Sequence, residues 1–275
     1  MRIPRCSLHN HTCYDDGANT PEEVVQGAIA SGCEVLGFSG HSHLSFVPDD
    51  DWAMSEAQTE QYIADVLALR ERYADRIEIA LGIEYDSYSS LSRKPYDYVI
   101  GSVHHVYRNG VHIPVDLTFD QLSEAVREHY NGDFLALAED YYRNMYTLVE
   151  KTDCDIVAHF DLITKFNEKH PFLDTESARY REIAAAALDH VLTNDRIFEI
   201  NTGAMARGHR GSPYPDRFLL SRIREKGGRV MITADSHTAQ RSMYAYEEAT
   251  AYAVSCGFDT LWVMKNGEFV PFICE

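Results

Sequence analysis

The chain has 275 residues, 25 Lys plus Arg against 43 Asp plus Glu, and a formal charge of −18. That length suits one large α/β domain that buries a core without staples, and the acidic balance argues against a nonspecific nucleic-acid surface, which needs a basic field. Its six cysteines form no C-x-x-C pair, the first residues carry no apolar signal core, and no apolar run is long enough to span a bilayer. The expectation is a reduced, cytoplasmic protein with neither a membrane nor a nucleic-acid partner; its oligomeric state is left open.

A short apolar run leads into His9-Asn10-His11, and Asp15-Asp16-Gly17 then turns the chain. Side chains at i and i+2 of a strand share a face, so His9 and His11 can reach one ion together. Pro21 opens a helix to Ser31, with Thr20 as its cap and Glu22 and Glu23 in the first turn. The same grammar then recurs. Val35 to Ser39 ends at His41 and His43; Ile79 to Ile83 ends at Glu84 and Asp86; Tyr98 to Val103 ends at His104 and His105. Ile156 to Ala158 ends at His159 and Asp161, Ile197 to Ile200 at Asn201 and Thr202, and Val230 to Ala234 at Asp235 and His237. In a barrel of parallel strands such ends converge on one mouth.

Between the strands lie helical segments: Ser55 to Tyr73, with Tyr62, Val66 and Leu69 on one stripe, then Asp174 to Thr193, Pro215 to Lys226, and Arg241 to Cys256. Leu44 to Trp52 reads as a loop over the mouth and Leu91 to Pro95 as another loop. After His105 the alternation breaks. A hairpin around Asn109-Gly110 and helices over Phe119 to Tyr130 and Asp133 to Thr152 form an insertion at about 106–152. A strand pair, Thr260 to Met264 and Glu268 to Ile273, ends the chain. One domain, 1–275, is the economical reading.

Nine residues stand out as ligand candidates: His9, His11, Asp16, His41, Glu84, His104, His159, Asp235 and His237. Imidazole and carboxylate together suit zinc, manganese or iron, and nine exceed what one ion takes. Two metals roughly 3.5–4 Å apart can hold a hydroxide between them and stabilise an in-line displacement at phosphorus. Spacing alone does not separate Asp15 from Asp16, and adjacent strand residues point to opposite faces, so only one of His104 and His105 can share the site's face.

Taken in order, His9-x-His11, the Asp16-Gly17 turn, His41, Gly-Ile-Glu84, Gly-Ser-Val-His104, His159 and Asp235-Ser236-His237 resemble the motifs of the PHP (polymerase and histidinol phosphatase) superfamily. Glu199-Ile200-Asn201-Thr202, Arg207, Tyr214-Pro215 and the run from Ala158 to Ile163 are similar to its histidinol-phosphatase branch. The resemblance implies a distorted (β/α)7 TIM-like barrel with up to three divalent transition-metal ions at the carboxyl ends of its strands. It puts His9, His11, Glu84 and Asp235 on the first ion, Glu84, His104 and His159 on the second, and Asp16, His41 and His237 on the third. It also favours Asp16 over Asp15 and His104 over His105. The chain departs from the family at Gly40, where an Asp is frequent, and at Ala204, where the branch has Gly and this chain has Gly203 one step early.

The activity implied is hydrolysis of a small phosphorylated metabolite, L-histidinol phosphate, to L-histidinol and phosphate, a step of histidine biosynthesis, by attack of a metal-bridging hydroxide. Arg207 and Glu84 join that hydroxide in the catalytic set. Arg207 would grip the phosphoryl group with Arg210 as competitor; His43 and Thr202 are further substrate-binding candidates, and Asp161 and His105 are expected to orient the ligands. The alternatives are a PHP phosphoesterase acting on nucleotides, oligonucleotides or phosphotyrosine, and a noncatalytic metal-binding domain. No general acid emerges from these residues.

Overall fold

The strands are short and separated by helices too far from one another in sequence for hairpins, which leaves parallel pairing as the way to satisfy their backbones. In the computed structural model, which describes residues 2–48, 52–90 and 95–274, the chain runs β1 (Cys6–Ser7), α1 (Pro21–Ala30), β2 (Val35–Phe38), α2 (Glu56–Arg72), β3 (Glu78–Asp86) and β4 (Tyr98–Ser102). The insertion follows as β5 (His105–Arg108), β6 (Val111–Pro114), α3 (Phe119–Tyr130), α4 (Phe134–Tyr146) and α5 (Leu148–Thr152). Then come β7 (Ile156–Val157), α6 (Ala178–Leu192), β8 (Ile197–Asn201), α7 (Gly203–Ala206), α8 (Arg217–Glu225), β9 (Arg229–Thr233), α9 (Tyr246–Ser255), β10 (Thr260–Lys265) and β11 (Glu268–Ile273).

Seven strands pair in parallel in the order β1-β2-β3-β4-β7-β8-β9. A parallel bridge between Asn10 and Ser236 brings the last strand back to the first, through His11 N to Ser236 O at 2.8 Å and Ser236 N to His9 O at 3.1 Å. The result is a nearly closed α/β barrel of the TIM type, as the alternation of strands and helices predicts. The loop expected over Leu91 to Pro95 lies outside the described residues except for Pro95.

Period-two alternation sorts the side chains. Cys6, Leu8, Val35, Ala80, Ile100, Ile156, Ala158, Ile197 and Met231 pack into one inner cluster, joined by Met264 of the β10–β11 hairpin. Tyr98 fills the lumen of the barrel: its hydroxyl donates to the carbonyls of Leu8 and of Phe38, the latter at 2.9 Å. A Cβ on Gly37 or Gly82 would stand 2.3 Å from that ring or its oxygen, so both strands thin to glycine where the tyrosine crosses. The hairpin caps the amino-terminal end, with Asn266 N and Gly267 N both donating to the Glu78 carboxylate at 2.9 Å. A second, larger cluster packs the helices on the outside of the barrel.

Local chemistry sets the helix ends. Thr20 and Glu23 close a capping box on α1, and Ser55 and Gln58 close one on α2. Four expected helices are shorter or divided. Asp133 to Thr152 is two helices, because Thr147 leaves helical geometry with ψ 3°. Asp174 to Ser177 is a turn whose Ser177 caps α6. Asp216 caps α8, so Pro215 and Asp216 stay outside it. The last helix begins at Tyr246, since Ala245 is left-handed at φ 55°.

Candidate metal centre

Glu84 sits inward on β3 in the same register as Ala80 and Gly82, at the carboxyl end where the lumen opens. Both its oxygens are buried, and among the described residues neither receives a hydrogen bond. Five imidazoles surround it instead. Oε2 lies 3.2 Å from His9 Nε2, 3.7 Å from His11 Nε2 and 2.9 Å from His41 Nδ1. Oε1 lies 3.5 Å from His104 Nε2 and 3.4 Å from His159 Nε2. The Nε2 atoms of His9 and His11 are likewise buried without a hydrogen-bond partner. A buried carboxylate and imidazoles left in that state cost several kcal/mol unless cations join them, so the donor set fits divalent metal ions.

The ligand atoms gather in three groups: His11, Asp16, His41 and His237; His9, His11 and Asp235; His41, Glu84 and His104. All nine candidates are thus in one cluster, with His159 joined through Glu84. The grouping differs from the family-implied one in that His41 leans toward Glu84 while its Nε2 stays 3.8 Å from Asp16. Asp16 is the residue of its turn that reaches the cluster, 3.1 Å from His237 Nε2. Asp15 stands behind it, accepting from His11 Nδ1 at 2.6 Å, Thr12 N at 2.9 Å and His41 N at 3.0 Å. Gly40 makes room for this: a Cβ there would touch the Asp15 carboxylate at 3.4 Å and Met54 at 3.0 Å. Asp15 is thus the carboxylate that holds the His41 backbone N–H next to Gly40.

Burial opposes charge in the cluster; opposite charges overcome it at His9, His11, His104, Glu84 and Asp235, while at His237 burial and the neighbouring His11 prevail and hold the ring below its ordinary pKa. Glu199, Glu84 and Asp235 hold His9 well above its ordinary pKa; Asp15 brings His11 to about 10, and Glu84 brings His104 to about 9. Glu84 and Asp235 are buried too, yet His41 and His9 around the one and Arg207 beside the other hold both carboxyls well below the usual range. Asp235 adopts φ 46°, a left-handed conformation that Asp tolerates better than most residues, at the sharp turn that aims both it and His237 inward.

Several residues behave differently from expectation. Thr202 is fully buried and spends its hydroxyl on the carbonyls of Tyr244 (2.9 Å) and Thr233 (3.3 Å), so it braces the barrel wall and does not face a substrate. Arg210 is also buried, donating to Thr164 Oγ1 at 2.7 Å and Asp161 at 3.4 Å while stacking on Tyr214; it is a strut. Asp161 accordingly holds Arg210 and Asp216 N rather than orienting a ligand histidine. Arg207 does reach the mouth, where it donates to Asp235 Oδ2 at 3.0 Å and His237 Nδ1 at 2.9 Å. Gly203 permits that pair, because a Cβ there would lie 2.6 Å from Asp235 Oδ2. His43 is half-buried and joins none of the ligand groups. His105 lies 3.9 Å from Asp86 and stacks on Trp52.

Three contributors are given no role by the sequence, although Asp86 stands at a strand end and Glu199 within a branch motif. Glu199 is buried in β8, accepts from His9 Nδ1 at 2.6 Å and His159 N at 3.1 Å, and thereby orients two ligands. Asp86 accepts from His104 N at 2.8 Å and lies 3.5 Å from its Nδ1. Trp52 stands edge-on to His41 with ring centroids 4.8 Å apart, in the described part of the loop expected over the mouth.

Known proteins resemble this chain over most of its length. The chain is 26% identical over 262 residues to the histidinol-phosphatase of Bacillus subtilis, covering 87% of this chain and 95% of that one. It superposes on a solved protein of Listeria monocytogenes with a TM-score of 0.76 at 20% identity, covering 88% and 98% of the two chains. It also superposes on the histidinol phosphate phosphatase of Lactococcus lactis, solved with zinc, L-histidinol and phosphate, with a TM-score of 0.68 at 24% identity over 96% and 98%. The PHP domain pattern matches residues 7–203, a span that holds the strand ends bearing His9 through His159. With those motifs carried in order by a seven-stranded barrel, the chain belongs to the PHP domain family.

Proposed function

We propose that this protein is a metal-dependent phosphoric monoester hydrolase that converts L-histidinol phosphate to L-histidinol and phosphate. The observation that carries the reading is Glu84, a buried carboxylate whose two oxygens face two different sets of imidazoles. The substrate is supported by the Bacillus subtilis relative, which is a histidinol-phosphatase, and by the Lactococcus lactis structure, which holds zinc, L-histidinol and phosphate.

His9, His11, Glu84 and Asp235 would hold one ion, Glu84, His104 and His159 a second, and Asp16, His41 and His237 a third. Bound there, zinc, manganese or iron supplies Lewis acidity toward phosphoryl oxygens and a water activated for attack at neutral pH. The chain's own residues do the rest. Glu84 presents one oxygen to each side, so two cations can share it. Glu199 and Asp15 fix the rings of His9 and His11, and Ser102 Oγ at His104 Nδ1 with Asp86 at its backbone N–H holds His104, so the ligands need little rearrangement. Arg207 lines the mouth and offers a guanidinium fork to phosphoryl oxygens, which lysine would not reproduce. Because Arg207 also holds Asp235 and His237, its loss acts on metal affinity as well as on substrate.

The test is steady-state turnover of the metal-loaded protein on L-histidinol phosphate, p-nitrophenyl phosphate, a 3′-phosphoadenosine nucleotide and a phosphotyrosine peptide. The expected result is the highest kcat/KM on L-histidinol phosphate, since binding energy from its imidazole and amine is usable in the transition state. A preference for the nucleotide or the peptide overturns the substrate assignment.

A further inference from the structure

On the His104–His159 side of the mouth, away from Asp16 and His237, the insertion contributes a group of its own. Just after β6, Val115 N donates to His104 O at 2.9 Å, which ties the backbone next to Asp116 to a metal-ligand candidate. Lys165 arrives from the loop after β7. Its ammonium donates to the Asp116 carbonyl at 2.6 Å and lies 3.3 Å from Asp116 Oδ2. The lysine side chain is only 9% exposed and the aspartate 22%, so the pair is a built feature of the wall and not a solvated surface contact.

Lys165 engages one oxygen of the carboxylate. Oδ1 receives no hydrogen bond among the described residues. Burial works against the charge on Asp116, but Lys165, His104 and His159 keep it ionised, and Asp116 in turn acts on Arg207 across the opening. The ion pair with Lys165 and the Val115 N–His104 O bond together tie this carboxylate to the two segments that carry His104 and His159. Its negative charge is the feature to explain, because Arg207 and the cations that the ligand set would hold prepare this mouth for an anion.

In an amino-alcohol phosphate of the histidinol type, the amine is on the carbon next to the ester CH2. A phosphoryl group held at the metal ligands thus carries a positive charge about 4 Å away, on the leaving-group side, within contact range for a carboxylate at the edge of the mouth. We infer that Asp116 is the receptor for the ammonium group of the substrate's leaving alcohol, with Lys165 as the residue that positions it. This rests on the phosphomonoesterase reading above and adds to it the group that distinguishes amino-alcohol phosphates from other monoesters. The competing account is that Asp116 is only the counter-ion that lets Lys165 be buried.

A substrate–residue cycle separates the two. Metal-loaded wild-type protein, Asp116→Asn and Lys165→Met are each assayed on L-histidinol phosphate and on its des-amino analogue, 3-(imidazol-4-yl)propyl phosphate, with product L-histidinol binding followed by calorimetry. The wild type is expected to favour the amine-bearing substrate by about 100-fold in kcat/KM, and Asp116→Asn to shrink that ratio to about threefold, mainly through KM. L-Histidinol affinity should weaken by a similar factor. Lys165→Met should shrink the ratio part of the way. The ratio is unaffected by a partly folded sample, so loss of fold does not mimic the effect. An unchanged ratio in Asp116→Asn, whether both activities fall together or neither does, overturns the assignment and leaves the phosphatase reading standing. Wild-type protein that hydrolyses neither phosphate overturns that reading, and this one with it.

Discussion

At the amino-terminal end of the barrel, Cys6, Val35, Ala80, Ile156, Ile197 and Met231 close on Met264 of the terminal hairpin, and Tyr98 fills the lumen above them. At the carboxyl-terminal end the same strands deliver Glu84, His104, His159, Glu199 and Asp235, and buried nitrogens and oxygens there lack hydrogen-bond partners. A step of two residues along β3, from Gly82 to Glu84, crosses from one regime to the other. The lower end stabilises the fold by packing, and the upper end lowers its stability until cations complete it. The comparison shows how one period-two pattern serves both: parity chooses the inward residues, and height along the strand chooses their chemistry.

The lower end should respond to truncation with the larger loss of stability. Tyr98→Ala removes the lumen side chain opposite Gly37 and Gly82, which cannot fill the space, and should cost about 3–5 kcal/mol in denaturant unfolding. Metal affinity measured on the remaining folded fraction should change little. Full loss of metal with intact stability would mean the two ends are not separable in this way.

Glu199 sits between the regimes and should sharpen the boundary. Glu199→Gln keeps the volume but weakens the carboxylate acceptor for His9 Nδ1, with its length of 2.6 Å. Metal affinity should fall by roughly 10–100-fold with little change in chelated, metal-free stability. Titration with a competing chelator measures the first and urea unfolding the second; equal affinity in variant and wild type would remove Glu199 from the site.

The smallest effect expected lies outside both ends. Asp216 caps α8, but burial and the neighbouring Asp161 push its carboxyl up to about 6. A folded pKa above the unfolded value means that ionisation costs stability above about pH 6, and that this cost is relieved as pH falls through 6 toward 4. Asp216→Asn keeps the cap acceptor for Leu219 N and should gain on the order of 1 kcal/mol near pH 7.5, with the gain fading toward pH 4. A gain that stays constant with pH would show that charge is not the cause.

The strands and the nine ligand candidates were legible because period two and a polar residue at a strand end are local signals. Glu199 belongs to a branch motif but carries no role there, because it lies inside β8, two residues before the strand end where ligands are expected. An acidic residue at the inward parity of Ile197 and Asn201 within an apolar strand was the available clue. The same parity excludes Thr202, which follows the inward Asn201 and so points into the wall. Arg210 could not be told from Arg207 by spacing, since what separates them is the distant Asp161 and Thr164. Asp116 belongs to the insertion, whose tie to His104 depends on the Val115 backbone bond. Helix starts moved by up to five residues where Ser177, Asp216 and Ala245 set local geometry.

The central claim is that the mouth is a multi-metal centre organised on Glu84, and metal stoichiometry tests it most directly. Wild-type protein and Glu84→Gln, each reconstituted with excess zinc or manganese and freed of unbound ion, are compared by elemental analysis, with circular dichroism to verify the barrel. More than one ion per chain is predicted for the wild type and no more than one for Glu84→Gln, together with a loss of turnover on the order of a thousandfold or more and an intact fold. A Glu84→Gln protein that keeps the full wild-type metal content would contradict the account.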